Sequence, residues 1–420
     1  MNGDKKFLIG VVAVVIALAL VSAAVNLVID PYGVHRLVEI EGFNAVKPSA
    51  QGNLRLAKAY NITSQSPEGV LLGNSRVEQG FNPAGASVRF HRSIYNAGLP
   101  GSTIYENYRY LQHAARLGTL KVAVLGLDIF AFNTNMFRQA SNFSEGRLAV
   151  QLDGQITRLW NLARFRDLHQ IYVAWPTLMK SIATVMDQDE PWASTRTMLG
   201  FNPVREGDEY AKVKSYWRSF RKQNRKHIRL LQAHPMNFGP TAGWPNGSMV
   251  YFERLVAFCR AKNIKLMLAI HPYHAHMLEV LHGSGAWPVF ESWKRELVAV
   301  LASDRARHPG AVEFELWDFS GYNSITTEKV PPQGSTQVTK WYWGSSHYKQ
   351  SVSPLMGQRA FDYGDLAPVP ADFGILLRPD NLETHMQGFA ARRQAYRQAR
   401  PKEMADIQRL FAQERHRRGR

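Results

Sequence analysis

A single cysteine, Cys259, stands in a chain of 420 residues. That scarcity excludes an intramolecular disulfide and a zinc cluster built from cysteines. Its setting, YFERLVAFCRAKN, reads as the buried face of a helix, so the thiol is expected to be an inert core group. Acidic residues are also few: 34 Asp plus Glu face 51 Lys plus Arg. The resulting formal charge of +17 favours anionic surfaces such as lipid head groups, acidic polymers or nucleic acid. No repeat period is apparent. At 45% hydrophobic and 20% charged, the composition argues against both wholesale disorder and a multi-span membrane protein.

What is present begins at the amino terminus. Residues 7 to 29, FLIGVVAVVIALALVSAAVNLVI, form an apolar run interrupted only by Ser22 and Asn26, long enough to cross a bilayer as a helix. Lys5 and Lys6 precede it. By the positive-inside tendency they stay cytoplasmic, which predicts a stub and transmembrane anchor over 1–30 and an exported body from about Asp30 onward. The competing reading is a cleaved signal peptide, for which Ser22 and Ala24 are suitably small, but the apolar run continues past them to Ile29. Export in either form argues against nucleic acid as the partner.

Five apolar, β-branched segments follow, each ending in small or polar residues: GVLLGNS, SIYNAG, LKVAVLGLDIF, IKLMLAIHP and VEFELWDFS. Near-continuous apolar character predicts buried parallel strands. Helical spacing in STIYENYRYLQHAARLG, MVYFERLVAFCRAKN and ESWKRELVAVLAS alternates with them. The expected fold is therefore α/β, a three-layer α/β/α arrangement on a mainly parallel sheet, occupying 31–390. A Trp- and Arg-rich stretch over about 140–245 breaks the rhythm and reads as a helical insertion or lid. Residues 391–420 read as a basic tail, either a solvated helical face or a contact with a polyanion or membrane surface.

In open parallel sheets, binding groups gather at the carboxyl ends of strands. Here those ends carry Ser75 with Arg76, Asn96 with Gly98, Asp128, His271 and Asp318, and His347 lies further on in WYWGSSHYKQ. Ser alone is a weak nucleophile, so a Ser and a His at one sheet edge point to Ser75 activated by His347 as general base. Gly98 and the Asn96 amide are candidates for stabilising an oxyanion. Each residue also has a plain structural alternative: Ser75 as a helix cap, Arg76 as the partner of a structural carboxylate, Asn96 and Gly98 as turn residues, Asp128 as a cap. In HPYHAH, His271, His274 and His276 have no carboxylate at companion spacing, so no metal is expected there; His271 and His274 are read as a substrate-binding pocket wall.

The order LLGNSR, NAGLPGS, VLGLDIFAFN and SSHY resembles the block sequence of the SGNH (GDSL-like) hydrolase superfamily, especially membrane-anchored, exported members related to polysaccharide O-acetylation proteins. The resemblance covers roughly residues 68 to 360. It implies Ser75 as nucleophile, Gly98 as the second-block glycine and His347 as base, with no cofactor. It further implies a bacterial inner-membrane, single-pass protein with its bulk in the periplasm, acting in O-acyl transfer or ester cleavage on a polysaccharide, with a multi-span membrane protein as acyl donor. Two departures stand out. The third block carries Asp128 where the family has an oxyanion-hole Asn, and Gly344 replaces the acid normally found three residues before the His. Gly cannot orient an imidazole, so Asp318 is the first choice of triad acid and a backbone carbonyl the second. Gly344 and Asp128 also favour a rival reading, a non-catalytic envelope component that binds polysaccharide or scaffolds its synthesis machinery.

Overall fold

A computed structural model describes residues 3–152, 154–158, 161–190, 195–204, 215–361 and 368–418. The chain divides into two compact units, one comprising Met1–Gln65, Asn142–Met198 and Asn202–Glu206, the other Ser66–Ser141, Leu199–Phe201 and Gly207–Arg420.

In the first unit, α1 (Gly3–Ile29) is the apolar helix, long and hydrophobic enough to cross a membrane. With it belong α2 (Leu54–Gln65), α6 (Leu162–Leu168) and α7 (Trp175–Met186). A small cluster of Tyr32, Val34, Leu56, Ala57 and Ile171 forms its interior. Asp30 fixes the exit from α1: its carboxylate accepts from the backbone N–H groups of Val34 (2.8 Å), His35 (2.9 Å) and Arg36 (2.7 Å).

The second unit is α/β. All five expected strands form: β1 (Gly69–Leu72), β2 (Ile94–Asn96), β3 (Val122–Leu127), β4 (Lys265–Ile270) and β5 (Leu316–Asp318). They pair in parallel in the order β2-β1-β3-β4-β5. The short β8 (Ile375–Leu377) closes the edge antiparallel to β5, making six strands. Strands β1 and β3 are buried along their whole length, which explains why their sequences do not alternate. The order reverses between β1 and β3, a topological switch point, where crevices open at the carboxyl ends of such sheets.

Helices α3 (Ser75–Gly80), α4 (Pro83–Phe90) and α5 (Ile104–Ala115) follow the first strands. Later come α8 (Tyr216–Ala233), α9 (Met249–Ala261), α10 (Ala275–Gly283), α11 (Trp287–Arg307), α12 (Ser353–Phe361), α13 (Leu382–Ala399) and α14 (Pro401–Arg418). A two-stranded hairpin, β6 (Tyr342–Gly344) with β7 (His347–Tyr348), stands apart from the main sheet.

Two expected boundaries change. The stretch 140–245 is not one insertion: residues 142–198 belong with α1, whereas α8 packs in the sheet unit through buried Tyr216 and Phe220. The described part of the basic tail, through Arg418, is helical and in part buried. Arg393 and Arg397 clamp buried Glu279 at 2.9 and 2.7 Å, and α14 buries Met404, Ile407 and Leu410.

Candidate active site

The β1 strand runs straight into α3, and Asn74 rather than Ser75 caps that helix: the Asn74 side chain accepts from Arg76 N at 3.0 Å. Ser75 is thereby free to point elsewhere. Its Oγ lies 2.8 Å from His347 Nε2 although the two residues are 272 positions apart. Both remain partly exposed among buried neighbours.

On its other side, His347 Nδ1 lies 3.0 Å from Ser346 Oγ, which in turn lies 2.9 Å from Gln223 Oε1 of α8. Gln223 Oε1 can only accept, so the Ser346 hydroxyl donates to it. Ser346 Oγ then accepts from Nδ1–H, leaving Nε2 as the lone pair that faces Ser75. The same Gln223 oxygen accepts from Ser346 N at 2.9 Å. This corrects the expected triad: Asp318, at the end of β5, receives Lys294 Nζ (2.6 Å), His385 Nε2 (3.0 Å) and Ser320 N (2.9 Å) instead. Burial by itself raises the Asp318 carboxyl, but Lys294 and His385 outweigh that and hold it well below its ordinary value.

Asp128, after β3, is enclosed by donors. Arg76 Nη1 and the Asn74 amide bond one oxygen; Tyr273 OH (2.5 Å) and Phe130 N (2.9 Å) bond the other. Arg76 also lies over the Tyr273 ring, 4.6 Å from its centroid, and its Nε holds Ser346 O at 2.6 Å. Asp128 thus ties the loop after β1 to β3 and, through Arg76, to the His347 hairpin.

The expected oxyanion donors are committed elsewhere. Both Asn96 amide hydrogens go to carbonyls at the end of α3, Val77 O (2.9 Å) and Phe81 O (2.8 Å), and Asn96 Oδ1 accepts from Gly98 N at 2.9 Å. Gly98 permits close packing, since a Cβ there would lie 2.6 Å from Glu78 N. The Ser75 N–H, at the first helical position, has no acceptor inside its own helix.

The three histidines after β4 diverge. His271, wholly buried, meets Tyr348 OH at 2.9 Å; His274, also wholly buried, meets Glu328 O at 2.7 Å and caps α10 by accepting from His276 N; His276 pairs with Glu403 at 2.8 Å. His271 and His274 therefore brace the structure rather than line a pocket wall. Among the described residues no three His, Cys, Asp or Glu side chains converge as a metal site would.

Burial, and then the positive charge of Arg76, push the His347 pKa well below the ordinary histidine value. Burial first and Arg76 second likewise lower His227, one turn from Gln223 on α8, to about 3. The outer side of α8 is strongly basic, with Arg218, Lys222, Arg225, Lys226 and Arg229 bordering one groove. Arg225 and Arg229 share Glu414 at 3.1 and 2.6 Å.

No family model, curated protein or solved structure matches the chain. The site therefore stands on its geometry. Sequence reading missed Gln223, Ser346, Asn74 and Tyr273. A signal for α8 was available in its buried stripe, where Asn224 and His227 interrupt Tyr216, Phe220, Ile228 and Leu231. Polar residues on a buried helical face mark a polar neighbour.

Proposed function

We propose that the protein is an exported, membrane-anchored serine acyltransferase or esterase of SGNH-like type, acting on a polysaccharide, with α1 as the anchor and the sheet unit in the periplasm. The observation that carries this is the Ser75 Oγ–His347 Nε2 contact of 2.8 Å at the carboxyl edge of the sheet. Strand order and the sequence blocks support the fold assignment, a flavodoxin-like three-layer sandwich.

In the proposed mechanism His347 Nε2 takes the Ser75 proton as Oγ attacks the acyl carbonyl. The forming imidazolium keeps its Nδ1–H on Ser346, whose hydroxyl leans on Gln223 Oε1. The Ser75 N–H supports the oxyanion. Collapse expels the donor's leaving group with the proton from His347. A sugar hydroxyl, or water in an esterase, then attacks the acyl-enzyme carbonyl while His347 Nε2 takes its proton; collapse breaks the ester bond to Ser75 Oγ, which receives that proton from His347. The basic groove of α8 favours an anionic polymer as acceptor. A multi-span membrane protein as the acyl source is part of the same proposal.

The neutral Ser346–Gln223 relay favours a second reading, a fold retained for binding polysaccharide without catalysis. Treating the full-length protein with a fluorophosphonate probe separates the two. Labelling lost in both Ser75→Ala and His347→Ala supports the enzyme. Labelling unchanged in both removes Ser75 as nucleophile, and a wild-type protein that never labels favours the binding reading.

A further inference from the structure

In a water-soluble unit, a helix buries its apolar side and exposes its polar one. Helix α7 does the reverse. Its buried residues are Thr177, Ser181 and Thr184, while Trp175, Met179, Ile182 and Met186 are exposed, the last two by 46% and 77%. The exposed four are spaced four, three and four residues apart and so share one face.

The inward hydroxyls meet polar groups of α1 and the chain just after it. Ser181 Oγ donates to Asn26 Oδ1 at 2.7 Å, Asn26 Nδ2 reaches Tyr172 O at 2.8 Å, and Tyr32 OH pairs with Thr177 Oγ1 at 2.9 Å. Helix α1 shows the same inversion: its buried residues include Ser22 and Asn26, whereas Leu18, Leu20 and Val21 are exposed. Small polar side chains between helices with apolar flanks outward are the pattern of packing in lipid.

We propose that α7 is an interfacial helix whose outward face sinks into the bilayer where α1 leaves it. This rests on the reading of α1 as a membrane anchor. The occupant of the apolar face is lipid because, among the described residues, the side-chain bonds from α7 to α1 and the chain after it gather around that exit, where Lys47 Nζ also holds Ile29 O at 2.9 Å. The start of α7 is held at Tyr32, its middle at Asn26, and Gln188 just beyond its end holds both Val46 N (3.0 Å) and Val46 O (2.8 Å). Twelve residues are also too few to cross the hydrocarbon core. Lying along the surface is the remaining arrangement, with Trp175 suited to the head-group region.

The test uses the full-length protein in phospholipid vesicles, with single spin-labelled variants Ile16→Cys in α1, Met179→Cys and Ile182→Cys in α7, and Val338→Cys, an exposed site of the sheet unit. Native Cys259 is buried, with its thiol pushed up to about 12, and stays unlabelled. Accessibility to oxygen, which partitions into lipid, is compared with that to a water-soluble nickel chelate. The expected result is an oxygen-to-nickel ratio several-fold higher at 16, 179 and 182 than at 338. A lipid-like ratio at 16 with water-like ratios at 179 and 182 overturns the proposal and leaves the anchor intact. A water-like ratio at 16 overturns the anchor reading and the proposal with it. Immobile labels at 179 and 182 shielded from both reagents assign the face to a protein partner and overturn the lipid assignment.

Discussion

The Gln223 carboxamide fills the space where a side chain at Gly344 would begin: a Cβ at 344 would lie 2.4 Å from Gln223 Cδ and Nε2. Position 344, three residues before His347, is where the resemblance to SGNH enzymes expects an acid. A neutral amide from α8 occupies that place, and it reaches the imidazole through Ser346. In the proposed mechanism the imidazolium formed during attack would therefore be steadied by dipoles rather than by an adjacent carboxylate.

A consequence for pH follows. A general base works when unprotonated, so the acid limb of kcat/KM should fall well below the ordinary histidine value near pH 6.5, because His347 is depressed by burial and Arg76. Gln223→Glu places an anion behind Ser346 and should raise that limb by about 1 unit or more. An unchanged limb in Gln223→Glu would remove Gln223 from the relay.

Gly344→Ala tests the packing that holds the relay. The added methyl collides with Gln223 and should lower kcat by roughly 10- to 100-fold with little change in KM, as expected when a catalytic group is misplaced by about 1 Å. Steady-state kinetics on the folded variant check this. A KM effect alone would contradict it.

Asp128 and Asp318 separate structural from catalytic carboxylates. Each is a buried acid paired with a buried base, Arg76 and Lys294 respectively, so Asp128→Asn and Asp318→Ala should each cost about 3–5 kcal/mol in denaturant unfolding. Asp128→Asn should also depress turnover by loosening Arg76 from the His347 hairpin. Residual activity of Asp318→Ala should keep the wild-type pH limb; an altered limb would restore Asp318 as the triad acid.

Acid should destabilise the sheet unit early. His227, His271, His274 and His347 are all held below their unfolded values, with burial the leading cause in each. A depressed histidine contributes stability that is complete above the unfolded value near pH 6.5 and is lost as pH falls toward the folded value. Urea midpoints measured between pH 7 and pH 4 should therefore drop by an amount equivalent to several kcal/mol. A flat profile would show that these groups protonate freely in the folded state.

Much of the framework was legible because each strand is short, buried and apolar. GVLLGNS, LKVAVLGLDIF and IKLMLAIHP state their burial directly, and strand ends locate candidate groups. Ser75 was singled out that way, and His347 from its place in WYWGSSHYKQ. Their supports were not, because they arise from tertiary packing. Gln223 looks like one polar residue among many in KSYWRSFRKQNRKHIRLLQAH, and only folding brings it against Ser346. Asn96 misled for the opposite reason: a side-chain amide beside a glycine suits an oxyanion donor as well as a helix cap, and the α3 carbonyls decide between them. The basic tail misled because two of its charges, Arg393 and Arg397, are paired with Glu279 of α10, and its own Glu414 receives Arg225 and Arg229 of α8.

The enclosure of Asp128 also governs how attraction and chemistry are divided. Arg76 is ion-paired with Asp128, so its charge is offset in part: it still depresses His347, but under the proposed function it offers an arriving anionic polymer less than a full positive charge. In that reading long-range capture would fall to the outer side of α8, which is open to salt screening. Under the proposed function, encounter rate and bond-making vary independently: surface charge on α8 would set how often the polymer arrives, and the neutral relay what happens once it does.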